Sequence, residues 1–186
     1  MWIYLVAFII LISTGIFTYN GILKRKFLVK EASAGIDVQL KRRHDLIPRL
    51  VDLTKGYMRY EQGVLKDIVE LRNKAQGTQS MNEKASLETG ISQSLKTIIA
   101  LVENYPDLKA GNNFIELHKA LVDTEDQLQM ARRYYNGAVR DYNIAIESFP
   151  GVVIASIFIF KPADFFEIEY ATIASVPKVD LEKNSA

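Results

Sequence analysis

The sequence predicts an all-α protein in which an N-terminal transmembrane helix precedes an antiparallel bundle of three long helices. Residues Met1–Leu23 contain no charged side chain and are followed at once by the basic run Lys24–Lys26. Beyond Ile36, apolar residues recur at alternating steps of three and four, the period of helices that pack in a bundle. The chain has only 10 Gly and 5 Pro, so the residues after the anchor are expected to form one compact unit.

The uncharged run is long enough to cross a bilayer. At 1.5 Å per residue, a helix of about 22 residues is roughly 33 Å long, and a hydrocarbon core is about 30 Å thick. Its apolar side chains cover every face of the helix, which favours lipid over a small protein core. A cleaved signal peptide is the alternative, but no basic residue precedes the run and the A-x-A-like Ala32–Ala34 lies beyond the basic cluster. We therefore expect residues 1–23 to contact membrane lipid.

The charges beside the anchor predict its orientation. No Lys or Arg precedes the run, whereas Lys24–Lys26 and Lys30 follow it closely. The positive-inside rule then places the N-terminus outside and the C-terminal domain in the cytoplasm. The expected organisation is a single-pass protein of the cell membrane with a transmembrane anchor (1–23), a cytoplasmic helical bundle (24–170) and a flexible tail (171–186).

The first helix of the bundle is predicted from a row that averages about 3.5 residues per step. The row consists of Ile36, Leu40, Arg43, Ile47, Leu50, Thr54, Tyr57, Glu61, Val64, Ile68, Leu71 and Ala75. Pro48 lies within this row and is expected to kink or locally break the helix, because proline removes a backbone donor and clashes with the preceding turn. The helix can be continuous with the anchor.

Capping patterns and prolines delimit the other two helices. A capping box at Ser80 starts the second helix, which ends at Pro106. Another box at Asn113 starts the third helix, which ends before Pro150. The apolar run Gly151–Phe160 is too short to span a bilayer. We expect it to cover the end of the bundle, and a segment that dips into the membrane is the alternative.

Four charged residues occupy positions where these rows require apolar ones: Arg43 and Glu61 on the first helix, and Glu125 and Arg132 on the third. Ion pairs between helices are the simpler interpretation, with little net stability because desolvation offsets attraction. The alternative is a polar site in the bundle interior that binds a ligand or a side chain of a partner. These four residues are the candidate site.

A Tyr-Asn pair occurs twice on the third helix, as Tyr135-Asn136 and Tyr142-Asn143. Because the two copies are seven residues apart, both tyrosines share one face. We expect these tyrosines to pack against the bundle, with a hydrogen-bond partner for each hydroxyl group.

Composition and motifs argue against several classes of function. Lys plus Arg is 23 and Asp plus Glu is 22, and a net charge of +1 does not favour a nucleic-acid partner. The absence of cysteine excludes thiolate metal sites and thiol nucleophiles. Glu116 and His118 are two residues apart and do not form a Glu-x-x-His pair. No glycine-rich phosphate loop or nucleophile elbow is present. We therefore predict no catalytic residue, no metal and no cofactor.

The order and spacing of several motifs resemble those of the LemA family of bacterial membrane-anchored proteins. The motifs are Tyr19-Asn20, Ile36–Arg43, Asp45–Pro48, Leu50-Val51, Lys55–Tyr57 with Glu61, Glu103–Lys109, Glu125 with Ala131-Arg132, Tyr135-Asn136, Tyr142-Asn143 and Phe149-Pro150. One departure is Arg49, where the family pattern has asparagine. The resemblance covers nearly the whole chain.

The resemblance implies a short outer N-terminus, a cytoplasmic helical bundle and no established enzymatic activity. Genes of this family often neighbour those of HtpX-type membrane zinc peptidases. We therefore expect a non-catalytic interaction or scaffold module, with protein partners that include an HtpX-type membrane peptidase or a second copy of the chain in a homo-oligomer. The alternatives are a small-ligand receptor or enzyme that uses the polar interior, a regulator of such a peptidase, and a protein that shapes lipid through residues 151–160.

Overall fold

The computed structural model describes residues 1–78 and 80–166. The regular structure in this part of the chain consists of α1 (Trp2–Thr54), α2 (Gln62–Gly77), α3 (Met81–Val102), α4 (Pro106–Lys109), α5 (Asn112–Glu147) and α6 (Gly151–Phe158). The all-α fold class is therefore confirmed. The tail expected at 171–186 lies outside the described residues.

The first helix, α1, joins the uncharged segment to the rest of the fold. It has 53 residues, and the side chains of its first eleven, residues 2–12, are exposed. In the described part of the chain, α1 alone is long and apolar enough to cross a membrane by length and composition. The anchor and the first helix of the folded domain are therefore one continuous helix.

Pro48 lies inside α1 without ending it. Proline has no N–H group, so it leaves without a helical donor the carbonyl of His44, four residues earlier. Arg72 on α2 donates an Nε–H hydrogen bond to that carbonyl oxygen at 2.8 Å. The prediction of a local break at Pro48 is wrong, and a side chain from a neighbouring helix satisfies the carbonyl that the proline releases.

The break in the predicted first helix of the bundle occurs between Thr54 and Gln62, so that this helix is in fact two, the C-terminal half of α1 and α2. Gly56 costs a helix about 1 kcal/mol relative to alanine, and the chain turns over residues 55–61. Met58, in the middle of the turn, is fully buried. The turn occupies seven residues, two steps of the 3.5-residue row, so the apolar pattern resumes in register at Val64 and conceals the break.

Three clusters of buried side chains show that α1 and α5 run antiparallel. From the membrane end outwards, α1 contributes Ile22 to the first, Ile36 and Leu40 to the second, and Ile47 and Leu50 to the third. In the same order, α5 contributes Tyr142 and Ile146, then Leu128, Tyr135 and Val139, then Phe114, Leu117 and Leu121. The hairpin of α2 and α3 adds its apolar face to the third cluster, so four helices enclose the core farthest from the uncharged segment.

The helix starts agree with the predicted caps in one case out of two. Ser80 is the N-cap of α3, and its hydroxyl oxygen accepts a hydrogen bond from the backbone N–H of Glu83 at 3.4 Å. The cap predicted at Asn113 is wrong, because α5 begins at Asn112 with Gly111 as its N-cap. The short helix α4, which the sequence patterns do not predict, lies just before this N-cap.

The apolar run after α5 forms α6, which packs along one side of α1. The Tyr19 and Phe158 rings have centroids 4.7 Å apart. The corner between α5 and α6 requires Gly151, because a Cβ atom there would lie 1.9 Å from the carbonyl oxygen of Ala145. Beyond α6, residues 161–166 have no regular secondary structure and lie along α5; we call them the return segment.

Candidate functional site

The interior of the fold contains a cluster of buried charges centred on Arg43. Its Nη1 atom lies 3.3 Å from Oε2 of Glu88, and its Nη2 atom lies 2.6 Å from the Ser92 hydroxyl and 3.0 Å from Oε2 of Glu125. Arg43 is 2% exposed and Glu88 is fully buried, whereas the Glu125 side chain is 35% exposed. Arg43 therefore joins α1 to both α3 and α5.

Glu88 also binds the residue next to Arg43. His44 Nε2 and Glu88 Oε1 are 2.6 Å apart, and both side chains are buried. An ionised carboxylate can only accept hydrogen bonds, so the histidine is the donor in this contact. Each oxygen of the Glu88 carboxylate thus accepts a hydrogen bond from a different residue of α1.

The four residues predicted for the site do not come together. Arg43 and Glu125 form an ion pair, but Glu61 and Arg132 lie elsewhere. Glu88 is not among the predicted residues, because the apolar residues of the second helix recur at Leu87, Ile91 and Leu95 and Glu88 lies beside this row. The signal that could have found it is the pair Glu88 and Ser92, spaced one helical turn apart beside that row.

Glu61 lies at the end of the fold farthest from the uncharged segment. It is the N-cap residue of α2, and its two carboxylate oxygens are each 3.0 Å from the Tyr105 hydroxyl, which donates to them. This hydrogen bond raises the pKa of Tyr105 above its ordinary value, because loss of the phenol proton would place two anions together. The contact ties the 55–61 turn to the segment that leads into α4.

Arg132 lies on the buried face of α5, next to the return segment. It is 4% exposed, and its guanidinium carbon is 4.8 Å from the centroid of the Phe166 ring. A cation over an aromatic face is attracted by the ring quadrupole. Arg132 thus helps to hold the return segment against α5 and is not part of the Arg43 cluster.

The two Tyr-Asn pairs of α5 bind the backbone of the return segment. The Tyr142 hydroxyl donates to the carbonyl of Lys161 at 2.9 Å, and the Tyr135 hydroxyl donates to that of Asp164 at 2.8 Å. The Asn143 amide donates to the carbonyl of Ala163 at 3.0 Å and accepts from its N–H at 2.9 Å. The predicted hydroxyl partners are therefore confirmed, and burial raises the pKa of both tyrosines.

The two Tyr-Asn pairs make the same contacts because α5 and the return segment advance by matching distances along their axes. Asn136 bonds Phe166 as Asn143 bonds Ala163, at 3.2 Å for the amide and 2.8 Å for the backbone N–H. Seven helical residues advance about 10.5 Å, and three extended residues advance about 10 Å. A Tyr-Asn pair every seventh residue can thus bind every third residue of an extended segment. The sequence repeat predicts the packing and the hydroxyl partners, but not the binding of both asparagine amides to an extended segment.

A small cavity of about 160 Å³ opens beside the Arg43 cluster. Its lining consists of Arg43, Ser92, Glu125, two further charged residues (Lys96 and Asp126) and apolar side chains of α3 and α5. Ligand pockets are typically about 300–1,000 Å³, so the cavity is large enough only for water or a very small solute. Within residues 1–78 and 80–166, no group of three or more His, Cys, Asp and Glu side chains is placed to hold a metal ion.

Several known proteins are similar in sequence to most of this chain. The chain is 25% identical over 188 residues to the magnetosome protein MamQ of Magnetospirillum gryphiswaldense, covering 87% of this chain and 68% of the relative. It is 24% identical over 193 residues to magnetosome protein MamQ 2 of Paramagnetospirillum magneticum, and the match covers 90% of this chain and 71% of the relative. It is 22% identical over 184 residues to protein LemA of Metamycoplasma hominis, and the match covers 96% of this chain and 82% of the relative.

These relatives and the apolar head of α1 together support membrane localisation. The model of the LemA family matches residues 32–181, which is most of the chain. All the motifs that suggested the resemblance lie within this match except Tyr19-Asn20. The chain therefore belongs to the LemA family.

Proposed function

We propose that the protein is a non-catalytic interaction module, anchored in the membrane by residues 1–23, whose folded domain binds partner proteins at the cytoplasmic face. The observation that supports this best is a surface that we call the distal tip, formed by residues 55–61 and 103–110. Tyr60 is 98% exposed and Tyr57 is 48% exposed, although Met58 between them is fully buried. A structured turn thus presents two aromatic side chains to solvent.

The chemistry of the distal tip is that of a protein interface. Exposed tyrosines provide large apolar contact area at low entropic cost, and they are frequent hot spots when polar residues surround them. An ion pair between Lys109 and Glu103 forms part of that polar rim. The Glu61–Tyr105 hydrogen bonds hold the two halves of the tip together, so the surface is already ordered before a partner binds.

The tip is also far from the bilayer. From Leu23 to Thr54, α1 advances about 47 Å at 1.5 Å per residue. A partner that binds there is either a soluble protein or a membrane protein with a domain of similar height. An HtpX-type membrane peptidase that this protein would regulate, and a second copy of the chain, are the two candidates suggested by the family resemblance.

The orientation is part of the proposal. Lys24, Arg25, Lys26 and Lys30 follow the uncharged run, and the positive-inside rule places them in the cytoplasm. Since the chain has no cysteine, a single Tyr60→Cys substitution can be probed in intact cells with an impermeant thiol reagent. We expect no labelling until the membrane is opened, and labelling of intact cells would contradict the orientation.

Photocrosslinking tests the interaction itself. A photoreactive amino acid at Tyr60 should yield adducts with a discrete partner in living cells, and mass spectrometry identifies it. The matched control is the same amino acid at Lys66, whose exposed side chain lies on the surface of α2 outside the tip. Equal adducts from both positions, or none from Tyr60, would count against the tip as an interface.

A small-ligand receptor or an enzyme that uses the polar interior is the second candidate. One observation favours it: Arg43 Nε is buried, and no acceptor in the described part of the chain lies within hydrogen-bond distance. Glu125→Gln separates the two candidates, because it keeps the shape of the cavity and removes one anion from its wall. A receptor should lose ligand binding or activity with its fold intact, whereas an interaction module should keep its Tyr60 adducts.

A further inference from the structure

We propose that α6 is a second membrane-embedded element, a short re-entrant helix that inserts into the cytoplasmic side of the hydrocarbon core beside the anchor. Its binding partner is the acyl-chain region of the bilayer. The inference extends the proposed function, which assigns membrane contact to residues 1–23 alone.

The position of α6 on α1 carries the inference. A Cβ atom at Gly15 would lie 4.0 Å from Cδ1 of Ile154, and the Tyr19 ring packs on Phe158. Gly15 lies eight residues before Leu23, the last residue of the uncharged run, which is about 12 Å along the helix axis. Whenever residues 1–23 span a core of about 30 Å, α6 lies at membrane depth.

The chemistry of the segment suits that depth. Residues 148–160 contain no charged side chain, and their small residues, Gly151 and Ala155, are the buried ones. The exposed large apolar side chains here are Phe149, Val152, Val153, Ile157, Phe158 and Ile159. In water they would form a contiguous apolar patch of the kind that marks a binding surface. Against lipid the same side chains are in their preferred solvent.

Several backbone groups at the two ends of the segment are paired within the protein, which lowers the cost of placing them in hydrocarbon. At the corner before α6, the N–H of Ser148 donates to Ile144 O and the N–H of Val152 donates to Ser148 O, both at 2.9 Å. At the far end, the N–H groups of Ile159 and Phe160 both donate to the carbonyl of Ala155. The hydroxyl of α6 also bonds within the helix, from Ser156 to Val153 O at 2.8 Å.

Both ends of the segment leave on the same side of the membrane. With 8 residues, α6 is about 12 Å long and cannot span the core. The return segment then runs back along α5, held by Tyr142 and Asn143. Lys26 Nζ lies 5.4 Å from the Phe160 ring centroid, and Lys161 follows at once. Lysines at this level place their charges among the headgroups while their stems remain in apolar surroundings.

Depth-dependent fluorescence tests the inference on the full chain. Because no native cysteine is present, single cysteines at Val153 and Ile157 can carry an environment-sensitive NBD label. The purified protein is reconstituted in phosphatidylcholine vesicles with and without lipids brominated on their acyl chains. Ile10 in the anchor is the control for lipid, and Lys66 on the α2 surface is the control for water.

We expect blue-shifted emission at both α6 positions, and a loss of fluorescence with brominated lipid comparable to that at Ile10. Aqueous iodide should quench the label at Lys66 but not at Ile157. Water-like emission with iodide quenching at both α6 positions would overturn the proposal. So would protection from iodide without quenching by brominated lipid, since that result means that protein covers the helix. Circular dichroism of each labelled chain checks its fold, and either α6 position suffices if the other misfolds.

Discussion

Removal of the Glu88 carboxylate should strongly destabilise the folded domain. In Glu88→Ala, Arg43 loses a buried partner at 3.3 Å and His44 loses its partner at 2.6 Å. Breaking a buried pair by deleting one member costs about 3–5 kcal/mol, because the remaining charge is left without compensation. Arg43 keeps Ser92 and Glu125, so we expect a loss near the lower limit, about 3 kcal/mol.

Glu125→Ala should cost much less. The Glu125 side chain is 35% exposed, and Arg43 retains its fully buried contact with Glu88. Water can therefore replace part of what is lost, and we expect a change of about 1 kcal/mol. The comparison of the two variants measures how much more a fully buried carboxylate with two partners contributes than a partly exposed carboxylate with one.

Thermal unfolding in detergent micelles, followed by far-UV circular dichroism, measures the effect. For a chain of this size, 1 kcal/mol corresponds to about 2–4 °C in Tm, so Glu88→Ala should lower Tm by about 6–12 °C. The control is Glu70→Ala, which removes an exposed partner of Lys66 and should change stability by less than about 0.5 kcal/mol. If Glu88→Ala and Glu70→Ala unfold at the same temperature, the reasoning about the buried cluster is refuted.

Three further changes have predictable effects. Asn143→Ala removes two hydrogen bonds to the return segment; at about 1 kcal/mol each, amide exchange there should accelerate roughly 30-fold, and an unchanged rate would show that the segment is held by other contacts. Gly151→Ala should lower Tm strongly, because the new Cβ meets a backbone oxygen at 1.9 Å, whereas Gly137→Ala, with nothing within 4 Å, should stabilise α5 by about 0.5–1 kcal/mol; equal effects in melting experiments would contradict the packing at the corner. Burial raises the pKa of Tyr135, so its stabilising contribution is complete below about pH 10, the unfolded value, and is lost as pH rises through the higher folded value. Urea unfolding between neutral and alkaline pH should show a decline that is weaker in Tyr135→Phe, and an identical decline in both proteins would exclude this role.

Periodicity predicted the helices well where one face of a helix packs along its whole length. The uncharged run and the first half of the row that begins at Ile36 both lie in α1, and the third helix predicted between Asn113 and Pro150 corresponds to α5. The break at residues 55–61 escaped prediction because the turn occupies two whole steps of the row. At Pro48 the sequence predicts a break that does not occur. Arg72, which is distant in sequence, supplies the donor that the proline lacks.

The candidate site was harder to predict because burial of a charge depends on its partners in space. Arg43 was identified as an inward charge from its place in the row, and Glu125 likewise. Glu88 could not be assigned from a face of the second helix alone, since its burial depends on two donors of α1. Glu61 belongs to the same row as Arg43, but it is the last residue of the 55–61 turn and therefore lies at the distal tip.

The continuity of α1 from lipid to the distal tip has a mechanical consequence. Transmembrane helices change tilt when the bilayer becomes thinner or thicker, over a range of about 0–40°. Because the anchor and the inner edge of the folded domain are one helix, a change of about 10° in tilt would displace the tip by roughly 8 Å over its 47-Å reach. If residues 1–23 span the bilayer as proposed, the position of the folded domain depends on bilayer thickness, and a partner bound at Tyr60 would respond to that thickness without contacting the lipid.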